Sequence, residues 1–311
     1  MTAPPRVVAV VGATATGKTA LGEALAARLG GEVVCADSRQ VFRELEIGTG
    51  KPAPADRAAR PHHLFDALRL GQRASAGWYA LAAAAACAEV HARGRIPVLV
   101  GGSGLYLRAV QSGLSSEPPH APEIRARLRA ELEATGPEAL HRRLAACDPV
   151  TAARLEPRDA QRTSRALEVY EASGRPLSWW HTHPPRPPIL SEWRVIEITV
   201  TPGALATRIA RRTRWMFDSG LLEETSALLA LGLGAELRRL RAVGYDEALE
   251  FLAGRITRAA AEERTSARTR QLAKRQRTWF RHQVEAVRLD GEPSDPERLL
   301  GAAREAAGNP H

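Results

Sequence analysis

The sequence predicts an α/β fold, with a parallel sheet flanked by helices and an all-helical insertion domain. Short β-branched apolar runs alternate with helical patterns in the first third of the chain. A long segment then lacks strand-like runs, and a late strand pattern restores the alternation. We therefore expect residues 1–113 and 191–311 to form the α/β core with its C-terminal helices, and residues 114–190 to form the insertion domain.

The first predicted strand is residues 6–11 (RVVAVV), because a short β-branched apolar run is typical of a buried parallel strand. A turn leads into helical spacing at residues 18–29, which Gly30 and Gly31 end. The next predicted elements are a strand at 32–36, a helix at about 75–93 and a strand at 96–100. Parallel sheets bind ligands at the carboxyl ends of their strands, so the residues after each strand are the candidate site.

The predicted insertion is bounded by proline-rich segments, LSSEPPHAP (114–122), read as a hinge, and HTHPPRPPILSE (181–192), read as a return to the sheet. Helical patterns are predicted inside it at 122–135, 137–147 and 159–173. A further strand is predicted at 193–200, followed by mostly helical sequence at 203–283 and a polar, peripheral tail after residue 292.

The charge of the chain points to a polyanionic partner. The formal net charge is +9, which favours nucleic acid; the alternative is a soluble protein with a generally basic surface. Only three of the 44 basic residues are lysines, namely Lys18, Lys51 and Lys274. In so arginine-rich a chain, a lysine indicates a place that needs a slim ammonium group rather than a planar guanidinium.

Several classes of protein are disfavoured. The three cysteines, Cys35, Cys87 and Cys147, have no spacing typical of a disulfide framework or a zinc site. No run of about 18 apolar residues predicts a membrane span. The N-terminal sequence enters a strand almost at once, without room for a signal peptide, so we expect cytoplasmic residence.

The segment GATATGKT (12–19) matches G-x-x-x-x-G-K-[ST] between a predicted strand and a predicted helix. Backbone N–H groups of such a loop converge on phosphate oxygens, Lys18 adds a positive charge, and the Thr19 hydroxyl is a ligand for Mg²⁺. The segment predicts a P-loop NTPase-like fold and a bound diphosphate or triphosphate, and it does not distinguish a kinase from other enzymes. The predicted phosphate-binding residues are Gly12, Ala13, Thr14, Ala15, Thr16, Gly17, Lys18 and Thr19.

Two segments after the second strand contain candidate charged groups. Asp37, in ADSRQVF (36–42), is placed to face the loop as a general base or as a holder of a nucleophile. The alternative is an Asp that caps a following helix. Lys51, in EIGTGKP (46–52), lies in a Gly-Pro turn and indicates a phosphate role only by its rarity and position.

The segment PVLVGGSGLYLRAV (97–110) ends a buried strand in glycines and a hydroxyl residue, Ser103. Glycines permit close approach of a ligand, and they equally suit a tight turn between strand and helix. No acidic residue ends this strand, which weakens an ATPase interpretation.

Basic residues alternate with aromatic ones in the C-terminal half, a pattern suited to RNA, whose phosphates attract cations and whose bases stack on rings. The segments are RIARRTRWMF (208–217), RAVGYD (241–246) and TRQLAKRQRTWFR (269–281). Arg162 and Arg165 share one face of a predicted helix, where they either pair with acids or form a phosphate-binding stripe.

Seven stretches, in order, resemble the tRNA dimethylallyltransferase (tRNA isopentenyltransferase) family of the bacterial type. They are GATATGKT, DSRQVF, EIGTGKP, GRIPVLVGGSGLY, DAQRTSRALEVY, RAVGY and TRQLAKRQRTWFR. The resemblance implies transfer of a dimethylallyl group from dimethylallyl diphosphate to N6 of the adenosine 3′-adjacent to the anticodon, with Mg²⁺ and release of diphosphate. The loop would then hold a leaving group.

The resemblance also assigns roles to residues. Asp37 is implied as the base, Ser103 as the hydroxyl beside the target adenine, and Arg212 as an arginine at the diphosphate. The implied tRNA-binding residues are Asp37, Ser38, Arg39, Gln40, Ser103, Arg125, Gln161, Arg162, Thr163, Ser164, Arg165, Arg241, Gly244, Tyr245, Lys274, Arg275, Arg277, Trp279 and Arg281. The implied partners are the tRNA anticodon stem-loop and dimethylallyl diphosphate, and we expect a monomer without membrane contact.

The chain departs from the family pattern at four positions. Ala13 replaces a usual proline, which affects only the rigidity of the loop, and Phe42 replaces a frequent tyrosine. Ser103 replaces a usual threonine and Gly104 a commonly bulkier residue, and these two affect placement of the base. Three other functions remain open from the residues: a small-molecule P-loop kinase, an RNA-binding nucleotide switch, and prenyl transfer to a free adenine nucleotide.

Overall fold

A computed structural model describes residues 6–114, 118, 121–182, 187–292 and 296–308. The chain divides into two compact units, a core unit of Met1–Gln111 with Pro188–His311, and a helical unit of Ser112–Pro187. The predicted boundaries were 114 and 190. Most of the predicted hinge and part of the proline-rich return lie outside the described residues, at 115–117, 119–120 and 183–186.

The core unit contains a six-stranded sheet in which every described pairing is parallel, in the order β3-β2-β4-β1-β5-β6. The strands are β1 (Arg6–Gly12), β2 (Glu32–Cys35), β3 (His62–His63), β4 (Pro97–Gly101), β5 (Glu192–Thr199) and β6 (Val287–Asp290). The predicted fold class is therefore confirmed. The two edge strands β3 and β6 were not predicted, because neither His62–His63 nor VRLD forms an apolar run.

Helices cover the sheet and form the helical unit. In the core unit they are α1 (Lys18–Arg28), α2 (Pro54–Ala59), α3 (Ala76–Ala92), α4 (Gly104–Gln111), α10 (Pro202–Asp218), α11 (Leu221–Ala230), α12 (Gly234–Leu240), α13 (Tyr245–Leu252), α14 (Arg258–Gln283) and α15 (Pro296–Ala306). In the helical unit they are α5 (Pro122–Thr135), α6 (Pro137–Cys147), α7 (Pro149–Ala152), α8 (Ala160–Ser173) and α9 (Leu177–His181).

One face of the sheet packs on α1 and α15. Val8 and Val10 of β1 contact a buried cluster that includes Leu25 of α1 and Leu300 and Ala303 of α15. The prediction of a peripheral tail after residue 292 is therefore wrong. Its polar composition hides a helix with one apolar face, and that face completes the core.

The helical unit has its own core, and among its described residues there is no strand. Leu128, Leu140, Leu144 and Leu167 are almost fully buried against one another. Its third predicted helix begins at Ala160, because the carboxylate of Asp159 caps it by accepting the backbone N–H of Arg162 at 3.0 Å.

Candidate active site

The phosphate loop joins β1 to α1 in the conformation its motif requires. Positive φ angles occur at Gly12 (151°), Ala15 (64°) and Gly17 (94°). At Gly12 a Cβ atom would lie 2.6 Å from the carbonyl oxygen of Ile198 in the adjacent strand, so only glycine fits. The loop therefore passes from a buried strand into the N-terminus of a helix, where backbone N–H groups attract an anion.

Lys18 lies inside the loop. Its Nζ donates to the carbonyl oxygen of Ala13 at 3.2 Å, and the Thr16 hydroxyl donates to the same oxygen at 2.9 Å. Burial lowers the pKa of Lys18 from 10.5 to about 8; Asp37 opposes this shift and Arg212 reinforces it. An incoming anion would replace the carbonyl as the partner of this ammonium group.

Two side chains from distant helices hold the loop from outside, and neither was singled out from the sequence. Arg208 of α10 donates to the carbonyl oxygens of Thr16 at 3.2 Å and Gly291 at 2.8 Å. Gln276 of α14 accepts the backbone N–H of Thr14 at 2.9 Å. Both lie in basic segments that the sequence attributed to RNA, and neither segment carries a local signal that one of its members faces inward.

Asp37 follows β2 and faces the charges of the loop. Its Oδ1 accepts the backbone N–H of Arg39 at 2.9 Å, and its Oδ2 makes no hydrogen bond within the described residues. A turn rather than a helix follows it, so the helix-cap alternative is wrong. The carboxylate raises the pKa of Lys18 and of Arg212 against the opposing effect of burial, which places one negative group beside two cations.

Arg212 is half-buried on α10. One of its terminal nitrogens donates to the carbonyl oxygen of Thr49 at 2.9 Å, and a Cβ on Gly50 would lie 2.4 Å from it. Burial lowers the pKa of Arg212. The EIGTGKP segment therefore positions a guanidinium group next to Asp37 and Lys18.

Lys51 does not serve the phosphate loop. Its ammonium is buried, donates to the carbonyl oxygen of Phe42 at 2.6 Å, and pairs with Asp66 and Glu46. Arg57 pairs with the same two acids. The interpretation of Lys51 as a phosphate ligand is wrong, because these two acids and one carbonyl already use all three of its N–H groups.

Ser103 ties the ends of β4 and β2 together. Its hydroxyl accepts the backbone N–H of Ser38 at 2.9 Å, and its own N–H donates to the carbonyl oxygen of Ala36 at 3.2 Å. A Cβ on Gly101 would lie 2.0 Å from that same oxygen. At Gly101 the glycine therefore serves backbone packing, in agreement with the tight-turn alternative.

The cations at the C-terminal end of α14 are available to a polyanion. Lys274, Arg275 and Arg281 are exposed and Arg277 is half-buried, and within the described residues none of them pairs with an acid. Trp279 is half-buried beside them, and its ring fills the space next to Gly104, where a Cβ would lie 2.1 Å from it. The missing side chain at Gly104 is thus occupied by the indole.

The helical unit differs, because its predicted tRNA-binding arginines are paired. Arg162 pairs with Asp159, while Arg165 and Arg125 approach the buried Glu168 at 3.2 and 3.5 Å. The acid-pairing alternative is therefore the arrangement seen here. Gln161 on the same helix is exposed and Ser164 is half-buried.

Four predicted tRNA-binding residues have buried side chains or backbone. Thr163 and Tyr245 are 0% exposed and Gln40 is 9% exposed. Tyr245 donates its hydroxyl to Glu224, and the Gln40 amide donates to the carbonyl oxygens of Thr49 and Gly50. Gly244 is buried and lies at the N-cap position before α13, with φ 94°. Thr163, Tyr245 and Gln40 are thus enclosed or already hydrogen-bonded in this structure, and a contact of their segments with tRNA stays a prediction.

The remaining predicted residues lie nearer the surface. Ser38 and Arg39 are half-buried, and Arg241 is exposed. Arg39 donates to the carbonyl oxygen of Leu240 at 2.9 Å, and burial lowers its pKa. Among the described residues, no three His, Cys, Asp or Glu side chains gather as ligands for a metal ion, and no helix has the length and apolar character needed to cross a membrane.

Comparisons with known proteins identify the family of the chain. The family model of IPP transferases matches residues 40–283, and that of isopentenyl transferases matches residues 5–64. The tRNA dimethylallyltransferase of Halorhodospira halophila is 47% identical over 94% of each chain. That of Xanthomonas campestris pv. campestris is 44% identical over 97% of this chain and 93% of its own.

Solved structures that resemble this chain belong to the same family. The tRNA isopentenylpyrophosphate transferase of Bacillus halodurans is 32% identical, with a TM-score of 0.70 over 98% of this chain and 96% of its own. A eukaryotic dimethylallyltransferase whose structures capture it acting on tRNA is 25% identical, with a TM-score of 0.81 over 98% of this chain and 80% of its own. With a phosphate loop, a facing carboxylate and matches of this extent, the chain belongs to the tRNA dimethylallyltransferase family of IPP transferases.

Proposed function

We propose that the protein transfers the dimethylallyl group of dimethylallyl diphosphate to N6 of the adenosine 3′-adjacent to the anticodon of tRNA, and releases diphosphate. The observation that carries the proposal is the placement of one carboxylate, Asp37, against two cations of an anion site, Lys18 and Arg212. A carboxylate there repels a phosphate that it touches directly, whereas it suits a nucleophile that must lose a proton.

At the donor end, cleavage of the allylic C–O bond leaves its electron pair on the diphosphate. The amides of the loop, Lys18 and Arg212 stabilise the negative charge that develops there. Lys18 is already within the loop, and its pKa of about 8 rises when an anion replaces the carbonyl of Ala13. The same groups bind the product diphosphate, which carries more negative charge than the esterified diphosphate of the donor.

The residues present fit a magnesium ion. Thr19 is half-buried in the first turn of α1, and its hydroxyl makes no hydrogen bond within the described residues. Mg²⁺ at such loops takes a single hydroxyl together with phosphate oxygens and water. When bound, the ion supplies further neutralisation of the leaving group; Thr19 is the residue that would hold it.

At the acceptor end, Asp37 orients the amine and takes its proton. The adenine amine is a weak nucleophile because its lone pair is delocalised into the ring. With Oδ1 held by Arg39, Oδ2 is the oxygen that accepts an N–H of the amine and then the proton as the new C–N bond forms. Reaching this carboxylate requires the base to leave its stack, at a cost that is lowest in a loop.

RNA is gripped by the unpaired cations of α14, beside a half-buried indole that offers a stacking surface. The phosphate loop, Asp37 and Arg212 all come from one chain, so we propose that a monomer is the active form. A tRNA substrate favours a cytoplasmic site for the reaction.

The test is incubation with labelled dimethylallyl diphosphate, Mg²⁺ and an unmodified anticodon stem-loop RNA. We expect label on the RNA and one diphosphate released per transfer. A matched RNA with guanosine at the target position is the control, and it should stay unlabelled. In a parallel mixture with AMP, label on AMP together with unlabelled RNA in the first mixture would show a nucleotide acceptor instead. In a mixture with ATP and metabolites, ATP consumption with a phosphorylated metabolite would show a kinase, and RNA binding without any of these reactions would show a switch.

A further inference from the structure

One uncharged side chain, Gln276, connects the phosphate loop to the segment that carries Ser103. Its Oε1 accepts the backbone N–H of Thr14 at 2.9 Å, and its Nε2 donates to the carbonyl oxygen of Gly102 at 2.9 Å. Both bonds have good lengths and join segments from the ends of two different strands. The backbone N–H of Thr14 is therefore already hydrogen-bonded to Gln276 and not free within the loop.

The local sequence is built around this contact. Gln276 and Trp279 lie three residues apart on α14 and so share one face of the helix. Gly102 and Gly104 lie opposite them; a Cβ on Gly102 would meet Nε2 of Gln276 at 2.5 Å, and one on Gly104 would meet the Trp279 ring. At Gly102 and Gly104 the missing side chains therefore leave space for residues of α14 rather than for a ligand.

The chemistry of the contact requires a primary amide. Thr14 offers a donor and Gly102 an acceptor, and a glutamine side chain supplies the complementary pair at one length. An apolar residue would leave both backbone groups without partners in a half-buried place, and a glutamate would lack the donor. The neighbouring Arg275 is exposed and has no acid partner in the described part of the chain. Two adjacent residues of this helix thus face different surroundings: Arg275 faces the solvent, and Gln276 faces the phosphate loop.

We propose that Gln276 is a positioning residue for the leaving-group site: it holds the phosphate loop at a fixed distance from the Gly102–Ser103 segment, so that the loop is preorganised for diphosphate. The inference deepens the proposed function and rests on it. It assigns Gln276 a role separate from RNA binding, although the residue lies in a basic segment of the RNA type.

The test measures diphosphate binding and RNA binding separately. Gln276→Met removes both hydrogen bonds at nearly constant length, and Arg275→Gln removes a neighbouring exposed charge. Calorimetric titration with magnesium pyrophosphate should show weaker binding by about tenfold for Gln276→Met and no change for Arg275→Gln. Titration with the anticodon stem-loop should show the reverse pattern. In turnover assays Gln276→Met should raise KM for the prenyl donor and leave KM for RNA as it is.

Two further variants keep the test decisive. Gly102→Ala leaves the sequence of α14 unchanged; its Cβ would lie 2.5 Å from Nε2 of Gln276 and 3.2 Å from the carbonyl oxygen of Gly12, so it presses on the same contact from the other side. It should weaken pyrophosphate binding to a similar degree, and the double variant should be no weaker than the worse single one. Gln276→Glu keeps the acceptor, loses the donor and adds negative charge, so it should bind pyrophosphate more weakly than Gln276→Met. Unfolding midpoints, measured for each variant, identify any that fail to fold.

The outcomes separate the two proposals. If the wild type does not bind magnesium pyrophosphate, the proposed function fails. If the wild type binds it, and Gln276→Met and Gly102→Ala bind it equally well while folded, the positioning role is overturned and the proposed function stands. Equal weakening of pyrophosphate and RNA binding in Gln276→Met would also overturn it, because a general loss of packing would then explain both.

Discussion

The hydroxyl of Ser103 accepts the backbone N–H of Ser38 at 2.9 Å, and so a side chain at the end of β4 holds the segment that carries Asp37. The family resemblance implies that Ser103 lies beside the target base. The structure adds that its oxygen fixes the turn in which Asp37 lies, next to the hydrogen bond between Asp37 and Arg39. The residue therefore positions, through the backbone, the carboxylate that we propose as the base.

We expect Ser103→Thr to retain most activity and Ser103→Ala to lose much of it. Threonine keeps the oxygen that accepts from Ser38, whereas alanine leaves that half-buried N–H unpaired at a cost of about 1–3 kcal/mol. Single-turnover rates of prenyl transfer, with unfolding midpoints beside them, make the comparison. Equal rates for the two variants would show that the hydroxyl does not position Asp37.

Asp37→Asn should lower the transfer rate by roughly 10²–10⁴-fold, because an amide oxygen cannot take the proton of the attacking amine. The amide still accepts the backbone N–H of Arg39, so the turn and the folded state should persist. Rate is measured in single turnover, and RNA affinity by titration with the stem-loop. Asp37 would have no part in proton transfer if the variant matched the wild-type rate.

Diphosphate affinity should fall as the pH rises through 8. In the free protein burial holds the pKa of Lys18 at about 8, below its usual 10.5, and bound diphosphate favours the ammonium form. Binding above pH 8 therefore includes uptake of a proton, which calorimetry detects in buffers of different ionisation enthalpy. Because the unfolded chain keeps this proton up to about 10.5, the contribution of Lys18 to folding stability rises between the two values.

Lys18→Arg is the matched control for this titration. Its guanidinium stays charged across the range, so the proton uptake attributed to Lys18 should disappear while the protons of diphosphate itself still contribute. An unchanged uptake in the variant would assign the titration to another group.

RNA affinity should depend steeply on salt, with the dependence arising mainly from α14. Replacing Lys274, Arg275 and Arg281 by glutamine should lower the slope of log K against log salt by about 0.7–0.9 for each phosphate that the protein no longer neutralises. Arg162→Gln is the comparison in the helical unit, and it should have a smaller effect because Asp159 already pairs with Arg162. Fluorescence anisotropy of a labelled stem-loop gives the slopes. If Arg162→Gln lowered the slope as much as each substitution in α14 does, the helical unit would contribute equally to RNA binding.

The sequence predicted the features that depend on short range. The phosphate loop and Asp37 follow from a strand, a turn and a helix within one stretch, and the central strands follow from apolar runs. The direction of a side chain that depends on a distant partner did not follow from the sequence. Tyr245 lies in a basic segment but is buried and bonds to Glu224, and Lys51 pairs with Asp66. The neighbouring sequence does not indicate whether a charged or aromatic side chain faces the core or the solvent.

The same reason explains why two residues that hold the phosphate loop were missed. Arg208 bonds to the backbone of Thr16, 192 positions away, and Gln276 bonds to the backbone of Thr14, 262 positions away. Nothing in their immediate sequence separates them from their exposed neighbours. The apolar face of α15 was missed for another reason: the acidic and proline-containing residues 292–298 at the start of the tail make it read as polar, whereas Leu300 and Ala303 pack in the core.

The Gly101-Gly102-Ser103-Gly104 segment has one consequence for redesign. Cβ atoms at the three glycines would meet Ala36, Gln276 and Trp279 at 2.0, 2.5 and 2.1 Å. Any larger residue at these three glycines would thus deform the framework of the proposed site. Ser103 alone among the four already bears a side chain, so Ser103→Thr is the substitution in this turn that adds a methyl group and keeps the oxygen that holds Ser38.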